Sequence, residues 1–463
     1  MDVEEAFQVV GDYGRLQRHV FWSMAIPQIF IAWNHMLNVF VGSIPKFYCS
    51  QTLLRSTDTT IYVFDESEFT SIASEWDLVC DSAYKTDLAQ SIFMAGLLAG
   101  NFIGGYIADT YGRKSVCYVG ILGLFFLGCG SLAAPTFEYY ILLRLAAGVA
   151  AGAYGLVSFT LPAELVGSSH RGYVNVVMSV AFAFGIFSLP ILAFFVRDWR
   201  LLTFITSLPG LVGVYYYFYT PESPRWLLSQ GRTEEAENTM LYIWDVNKPA
   251  THASSSSSKR IGSGHLVSWL DMIKSRNLLC ITLNNMFTWF VGNILYYGLT
   301  LKMGDFNGNK YINVSIAGLV EVPASVVTLF LMDRYGRKPT YTHSLFVSSV
   351  MTFIITFLGS DGTFVSTLLA LIGKTCISVS VCVCWMHATE MYPTNIRNKA
   401  LSICSMFGRF GGVVAPLILT LGRSYQGLDF FIFASSCLLA AGISRKLPET
   451  LHKSLPETME DMM

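Results

Sequence analysis

The stretch "GGYIADTYGRK" spans residues 104–114, and "MDRYGRK" spans residues 332–338. Each puts a carboxylate, a glycine and two basic residues into a short turn between two apolar runs. Asp109 and Asp333 stand 224 residues apart. Glu164 and Arg171 in "ELVGSSHR" match Glu390 and Arg397 in "EMYPTNIR" at an offset of 226, and "PESPR" at Pro221 matches "PETLH" at Pro448 at 227. Three landmarks in the same order at nearly constant spacing mark a duplicated unit. Two parallel repeats in one apolar chain are the plan of a transporter whose halves rock around a midplane site.

Working outward from these turns, the rest of the chain has a membrane protein's balance. Of 463 residues, 52% are hydrophobic and 14% charged, against roughly 25% charged in a soluble domain. Runs of about 20 apolar residues match the thickness of a hydrocarbon core, and twelve occur: 20–42, 87–108, 115–134, 138–163, 174–196, 199–219, 277–300, 312–332, 341–360, 364–388, 399–421 and 426–445. In lipid the backbone must bond to itself, so these runs are helices. The expectation is an all-α membrane protein of twelve transmembrane helices in two six-helix bundles. Residues 1–219 form the first bundle, with a short loop at 43–87; 220–276 are a linker holding the Ser-rich "THASSSSSKRIGSG"; 277–463 form the second bundle and a tail. The opening "MDVEEAFQVVGDYGRLQR" is acidic and polar, so the first apolar run reads as a retained span.

Charge sets the orientation. The short connections carry Arg113, Lys114, Arg171, Arg337, Lys338 and Arg397, whereas the 43–87 loop sets Lys46, Arg55 and Lys85 against eight carboxylates from Asp58 to Asp87. The positive-inside rule makes both termini and the linker cytoplasmic and the loop external. With 31 basic and 32 acidic residues, nothing in the totals calls for a nucleic-acid partner. The cysteines lie mostly in apolar runs and lack metal-ligand spacing with histidine, so no metal or cofactor is expected. No nucleophile and base are brought together at a bilayer face, which argues against an enzyme.

The repeated turns are read as electrostatic latches built on Asp109, Gly112 and Arg113 and on Asp333, Gly336 and Arg337, with Glu164 and Arg171, and Glu390 and Arg397, beside them. The Asp-x-x-Gly-Arg-Lys turn resembles the loop signature of the major facilitator superfamily. "SEWDLVCD" (74–81), "ELVGSSHRG" (164–172), "VRDWR" (196–200), "PESPRWLLSQGR" (221–232), "EVPA" (321–324) and "EMYPTNIRNKAL" (390–401) together resemble solute carrier family 22, the organic cation, anion and zwitterion transporters. The resemblance runs from about residue 15 to 459. It implies the major facilitator fold, alternating access in the plasma membrane, a small organic ion as substrate, a co-transported or exchanged ion and contact with membrane lipid. Members of that family usually have a long, glycosylated, cysteine-rich loop after the first span. This loop is short, lacks an Asn-x-Ser/Thr sequon and holds only Cys49 and Cys80, where an oxidising exterior favours one disulfide over two unpaired thiols. The sole sequon, at Asn313, abuts the eighth span.

"SICSMFGRFGGVVAPLILTLG" (402–422) would cross a bilayer except that it contains Arg409. Such a charge costs about 2.5 to 3.5 kcal/mol on insertion scales and faces a partner or a cavity. Lys374 is a second cation in the same half. Two readings of Arg409 stand: a salt bridge to Glu390 or Glu321, or a site for a substrate carboxylate, with Gly408, Gly411, Gly412 and Pro416 leaving room beside the guanidinium. In the resembling family this position is acidic in cation carriers and arginine in anion and carnitine-type carriers, so the resemblance implies a carboxylate-bearing substrate. Some of its anion carriers have a further basic residue where this chain has Ser325, which points to a carnitine-type zwitterion or a monoanion rather than a dianion. Trp289, Tyr296 and Tyr297 would supply rings to the site, or else pack; Trp289 and Tyr296, seven apart, share a helix face. Asn34 and Asn38 line one face of the first span, next to Trp33 and His35. An organic-cation carrier and a non-transporting scaffold or receptor remain as alternatives.

Overall fold

In the computed structural model the described residues are 7, 13–51, 60–65, 69–166, 171–247, 276–306, 308–358, 364–393 and 396–451. The chain opens with α1 (Arg15–Met36), extended by the short α2 (Asn38–Val41). An antiparallel hairpin follows, β1 (Phe47–Gln51) against β2 (Thr60–Phe64), then α3 (Ile72–Glu75). The first half continues with α4 (Tyr84–Tyr111), α5 (Arg113–Leu132), α6 (Phe137–Leu165), α7 (Arg171–Phe195), α8 (Trp199–Ser207) and α9 (Val212–Tyr219). Two linker helices, α10 (Pro224–Ser229) and α11 (Thr233–Asn247), precede the second half. That half comprises α12 (Arg276–Lys302), α13 (Lys310–Leu319), α14 (Glu321–Tyr335), α15 (Arg337–Leu358), α16 (Phe364–Met391), α17 (Arg397–Ser424) and α18 (Leu428–Ser444).

Among the described residues eleven helical segments are long and apolar enough to span a bilayer, and α18, at 17 residues, is a shorter twelfth. Each falls on one of the twelve expected runs. The first span breaks at Leu37, between α1 and α2; two further spans are interrupted, and proline explains both. Pro209 lies in the 3-10 turn Leu208–Leu211 between α8 and α9, and Pro323 lies in the first turn of α14, where it withholds a donor from the end of α13. The hairpin departs from an all-helical expectation. "FYCSQ" and "TIYVF" are rich in the aromatic and β-branched residues that favour extended chain.

Small residues let the spans pack where lipid gives no hydrophobic drive. A Cβ on Gly100 of α4 would sit 2.1 Å from the Val149 carbonyl oxygen of α6. Across the opposite end, the loop is clipped to α8: the Glu75 carboxylate accepts from Trp199 Nε1 at 2.8 Å and pairs with Arg200.

The duplicated turns fold alike. Gly112 (φ 107°) joins α4 to α5 and Gly336 (φ 101°) joins α14 to α15. Glu222 accepts the first backbone N–H groups of α5, from Arg113 at 3.1 Å and Lys114 at 3.2 Å. Glu449 does the same for α15, from Arg337 at 3.0 Å and Lys338 at 3.1 Å. These are the glutamates of "PESPR" and "PETLH", each placed on the positive end of a helix whose first donors have no partner within it. Burial alone would push the Glu449 carboxyl up, but four backbone N–H groups hold it below the usual carboxylate range. For Glu222 burial wins and raises it.

A methyl group at Gly112 would need a left-handed backbone and would lie 2.3 Å from Glu222 Oε2. Gly112→Ala is expected to cost about 1 to 3 kcal/mol, read as a lower melting temperature of the purified protein. Gly155→Ala, whose Cβ meets nothing within 4 Å, should leave it unchanged or raise it. Because the Glu449 carboxyl is depressed in the folded state, its stabilisation is present above the ordinary carboxylate range and is lost as pH falls through the folded value. Glu449→Gln should therefore lower the melting temperature at pH 7, and the gap to wild type should close as the pH is taken below the ordinary carboxylate range.

Candidate functional site

The ionised residues inside the spans sort by whether they have a counter-charge. Lys374 of α16 is completely buried, and its Nζ lies 2.8 Å from Glu321 Oε1 of α14. Tyr296 of α12 donates to Glu321 Oε2 at 2.9 Å, and its ring lies under the Lys374 ammonium at 3.2 Å. The three close on one another, so neither Lys374 nor Tyr296 presents a free group to the space between the halves.

Arg409 of α17 is different. The two candidate carboxylate partners are engaged elsewhere: Glu321 with Lys374, and Glu390 with Arg337 at 3.0 Å. Among the described residues Arg409 makes no ion pair, and its Nε is buried without a hydrogen bond. Nearby Tyr297 of α12 packs against the Gly412 position of α17, with 3.2 Å from an added Cβ to the ring. The Tyr297 ring stacks on His35 of α1 at 6.5 Å, and His35 lies within electrostatic range of Arg409 and Arg144. His35 Nδ1 meets the Ile31 carbonyl at 2.8 Å. A Cβ at Gly292 of α12 would meet nothing within 4 Å, so open space adjoins this part of the helix.

Arg144 of α6 is the cation that sequence reasoning left outside the site. It is 2% exposed, stacks over the Phe93 ring at 4.2 Å and donates Nη2 to the Asn34 carbonyl at 3.3 Å. It too has no ion pair among the described residues, and its Nε is unpartnered. The signal was present in "RLAAGVAAG", a lone arginine in a small-residue helix.

The remaining expected binding residues lie in packing roles. Trp289 is buried against Trp385 at 4.5 Å. The Asn34 amide donates to the carbonyls of Phe30 at 3.1 Å and Thr206 at 3.3 Å, and that of Asn38 donates to Thr86 at 2.9 Å. These asparagines tie α1 to α8 and α2 to α4 by satisfying backbone. The sequon residue Asn313 is buried and donates to the Phe306 carbonyl at 3.2 Å.

At the linker face the latch residues form two matching networks. Arg113 pairs with Asp109 at 3.0 Å and with Glu164 at 3.3 Å, and donates to the Ala108 carbonyl at 2.9 Å. Arg337 pairs with Asp333 at 3.6 Å and with Glu390 at 3.0 Å, and donates to the Met332 carbonyl at 3.1 Å. Each glutamate thus turns to the arginine of the Gly-Arg-Lys turn. Arg397, seven residues beyond Glu390, donates instead to the Tyr392 carbonyl at 3.1 Å. The side chain of Arg171 lies outside the described residues. So does that of Cys49, and Cys80 is exposed with a free thiol.

The sugar (and other) transporter family matches residues 24–462. A Xenopus laevis protein, solute carrier family 22 member 15-like, is 36% identical over 100% of this chain and 96% of its own length. The organic cation transporter protein of Drosophila melanogaster is 29% identical over 100% of this chain and 94% of its own. The inward-open xylose transporter XylE from E. coli superposes with a TM-score of 0.69 at 17% identity, over 95% of this chain and 98% of that one, a likeness of fold alone. These relatives are transporters and not enzymes. With its duplicated half, its twelve apolar helices and this match along its length, the chain belongs to solute carrier family 22 of the major facilitator superfamily, the multi-pass secondary transporters.

Proposed function

We propose that this transporter moves organic anions or carnitine-type zwitterions across the plasma membrane by alternating access. In this reading residues 1–219 and 277–463 are the rocking halves, and the linker 220–276 and both termini are cytoplasmic. The observation that carries the substrate class is Arg409, a guanidinium in a membrane span with both candidate carboxylates already engaged. An uncompensated cation there is costly, and a substrate carboxylate supplies the missing charge bidentately. Arg144 adds to the positive field, and the Tyr297 and His35 rings give the substrate's body a surface.

A second reading, transport of organic cations, is favoured by the name of the Drosophila relative. It requires the substrate to approach a region with two unpaired guanidinia and to find its attraction in the rings.

Uptake of labelled carnitine, p-aminohippurate and tetraethylammonium into cells expressing the chain separates the two. Saturable entry of the carboxylated compounds is expected, and Arg409→Ala should lower it at least tenfold, the scale of a lost charge-assisted hydrogen bond. Entry of tetraethylammonium alone, or unchanged carboxylate uptake in Arg409→Ala, would overturn the anion reading.

Lys374→Ala is expected to act through folding. It leaves the Glu321 carboxylate buried and alone, a loss of about 3 to 5 kcal/mol, so surface expression should fall. Lys374→Met with Glu321→Gln should restore expression. Normal expression of Lys374→Ala with abolished uptake would return Lys374 to the substrate site.

A further inference from the structure

The halves of the chain meet through α4 against α17 and α7 against α13. Between described residues, every hydrogen bond and ion pair that crosses from one half to the other ends in one place. Asp87, in the first turn of α4, receives Arg423 Nη2 at 3.1 Å on Oδ1 and Thr420 Oγ1 at 2.9 Å on Oδ2. Both donors come from the last turns of α17. Arg423 Nη1 also reaches Thr86 Oγ1 at 3.4 Å and the Ala83 carbonyl at 3.5 Å. The Asp87 residue is only 7% exposed.

A second charged group lies beside it in the second half alone. Lys302 Nζ is 3.2 Å from Asp429 Oδ2 and 3.7 Å from Asp305 Oδ2. Lys302 and Asp305 are within electrostatic range of Asp87. At the linker face the arrangement is the reverse, because the Arg113 and Arg337 networks each close inside their own half. Among the described residues, the hydrogen bonds and ion pairs between the halves therefore lie at the end that carries the 43–87 loop.

We propose that Asp87 is the positioning residue of the external gate. Its carboxylate, held by Arg423 and Thr420, keeps that gate shut and sets the share of carriers that face inward. The proposal rests on the reading above of a carrier with the linker face in the cytosol. The physical basis is a two-way exchange: closed, the buried Asp87 carboxylate is held by Arg423, whose side chain stays partly in water; open, the carboxylate regains water. An element of that kind has two comparable states, and the charge on Asp87 biases them.

The test reads accessibility and needs no substrate. Gly292 of α12 is buried, yet an added Cβ there meets open space; a cysteine at this position, once reached from outside, attacks a membrane-impermeant methanethiosulfonate reagent, forming a mixed disulfide and releasing methanesulfinate. The same variants without Gly292→Cys give the background from native thiols such as Cys80. Asp87→Asn, which keeps shape and removes charge, and Arg423→Gln should each raise external labelling about tenfold, the scale of a lost charge-assisted hydrogen bond. The swap Asp87→Arg with Arg423→Asp should bring it back toward the parent value. Thr420→Val removes one hydroxyl bond to Asp87 and leaves the Asp87–Arg423 pair intact, so it folds even where the charge variants do not, and it should raise labelling less. Unchanged labelling in the expressed variants, or a rise that the expressed swap does not reverse, overturns the proposal. Either result leaves the anion reading to its own uptake assay.

Discussion

A charge inside a bilayer must find an opposite charge, and the way this chain meets that demand organises the molecule. Lys374 has Glu321, Lys302 has Asp429, and Arg423 has Asp87. Each pair joins two helices that are distant in sequence, and the last joins the two halves. Once these carboxylates are engaged, Arg409 and Arg144, both within electrostatic range of His35, have no ion pair among the described residues. In the anion reading proposed above, the pairing that stabilises the fold also leaves these guanidinia to the substrate.

The duplicated turns perform a complementary task. Gly112 and Gly336 adopt a backbone that other residues avoid, which lets Glu222 and Glu449 reach the starts of α5 and α15. The arginine after each glycine then gathers an aspartate, a glutamate and a helix-end carbonyl. These networks stiffen the linker-side ends of each half without tying one half to the other. Rigid ends within a half, and a breakable tie between halves at the far end, are the mechanical requirements of rocking.

The twelve runs were legible because lipid imposes one period and one length, and Pro209 and Pro323 mark interruptions that hydropathy alone passes over. The repeat was legible down to its function-bearing pairs, since "PESPR" and "PETLH" lay in register; that their glutamates cap α5 and α15 needed the three-dimensional path of the linker. What one-dimensional reading handled poorly was partnership. Lys374 and Arg409 look equivalent as lone cations in apolar runs, yet one has Glu321 from 53 residues upstream and the other has no carboxylate among the described residues. Asn34 and Asn38 looked like cavity liners by spacing, and they bond backbone carbonyls of neighbouring helices. Glu390 lay in line with Arg397, but the fold gives it Arg337. Asp87 was counted only as a loop carboxylate, because its partner is more than 330 residues away.

The central claim is that Arg409 awaits a carboxylate, and it is tested most directly by binding to the purified protein rather than by flux. Thermal unfolding in detergent with benzoate and with its uncharged isostere benzamide isolates the charge, because bound ligand raises the melting temperature by mass action. The account predicts that benzoate stabilises wild type, that benzamide does not, and that Arg409→Ala loses the difference. Equal stabilisation by both compounds, or a benzoate effect that persists in Arg409→Ala, would contradict it.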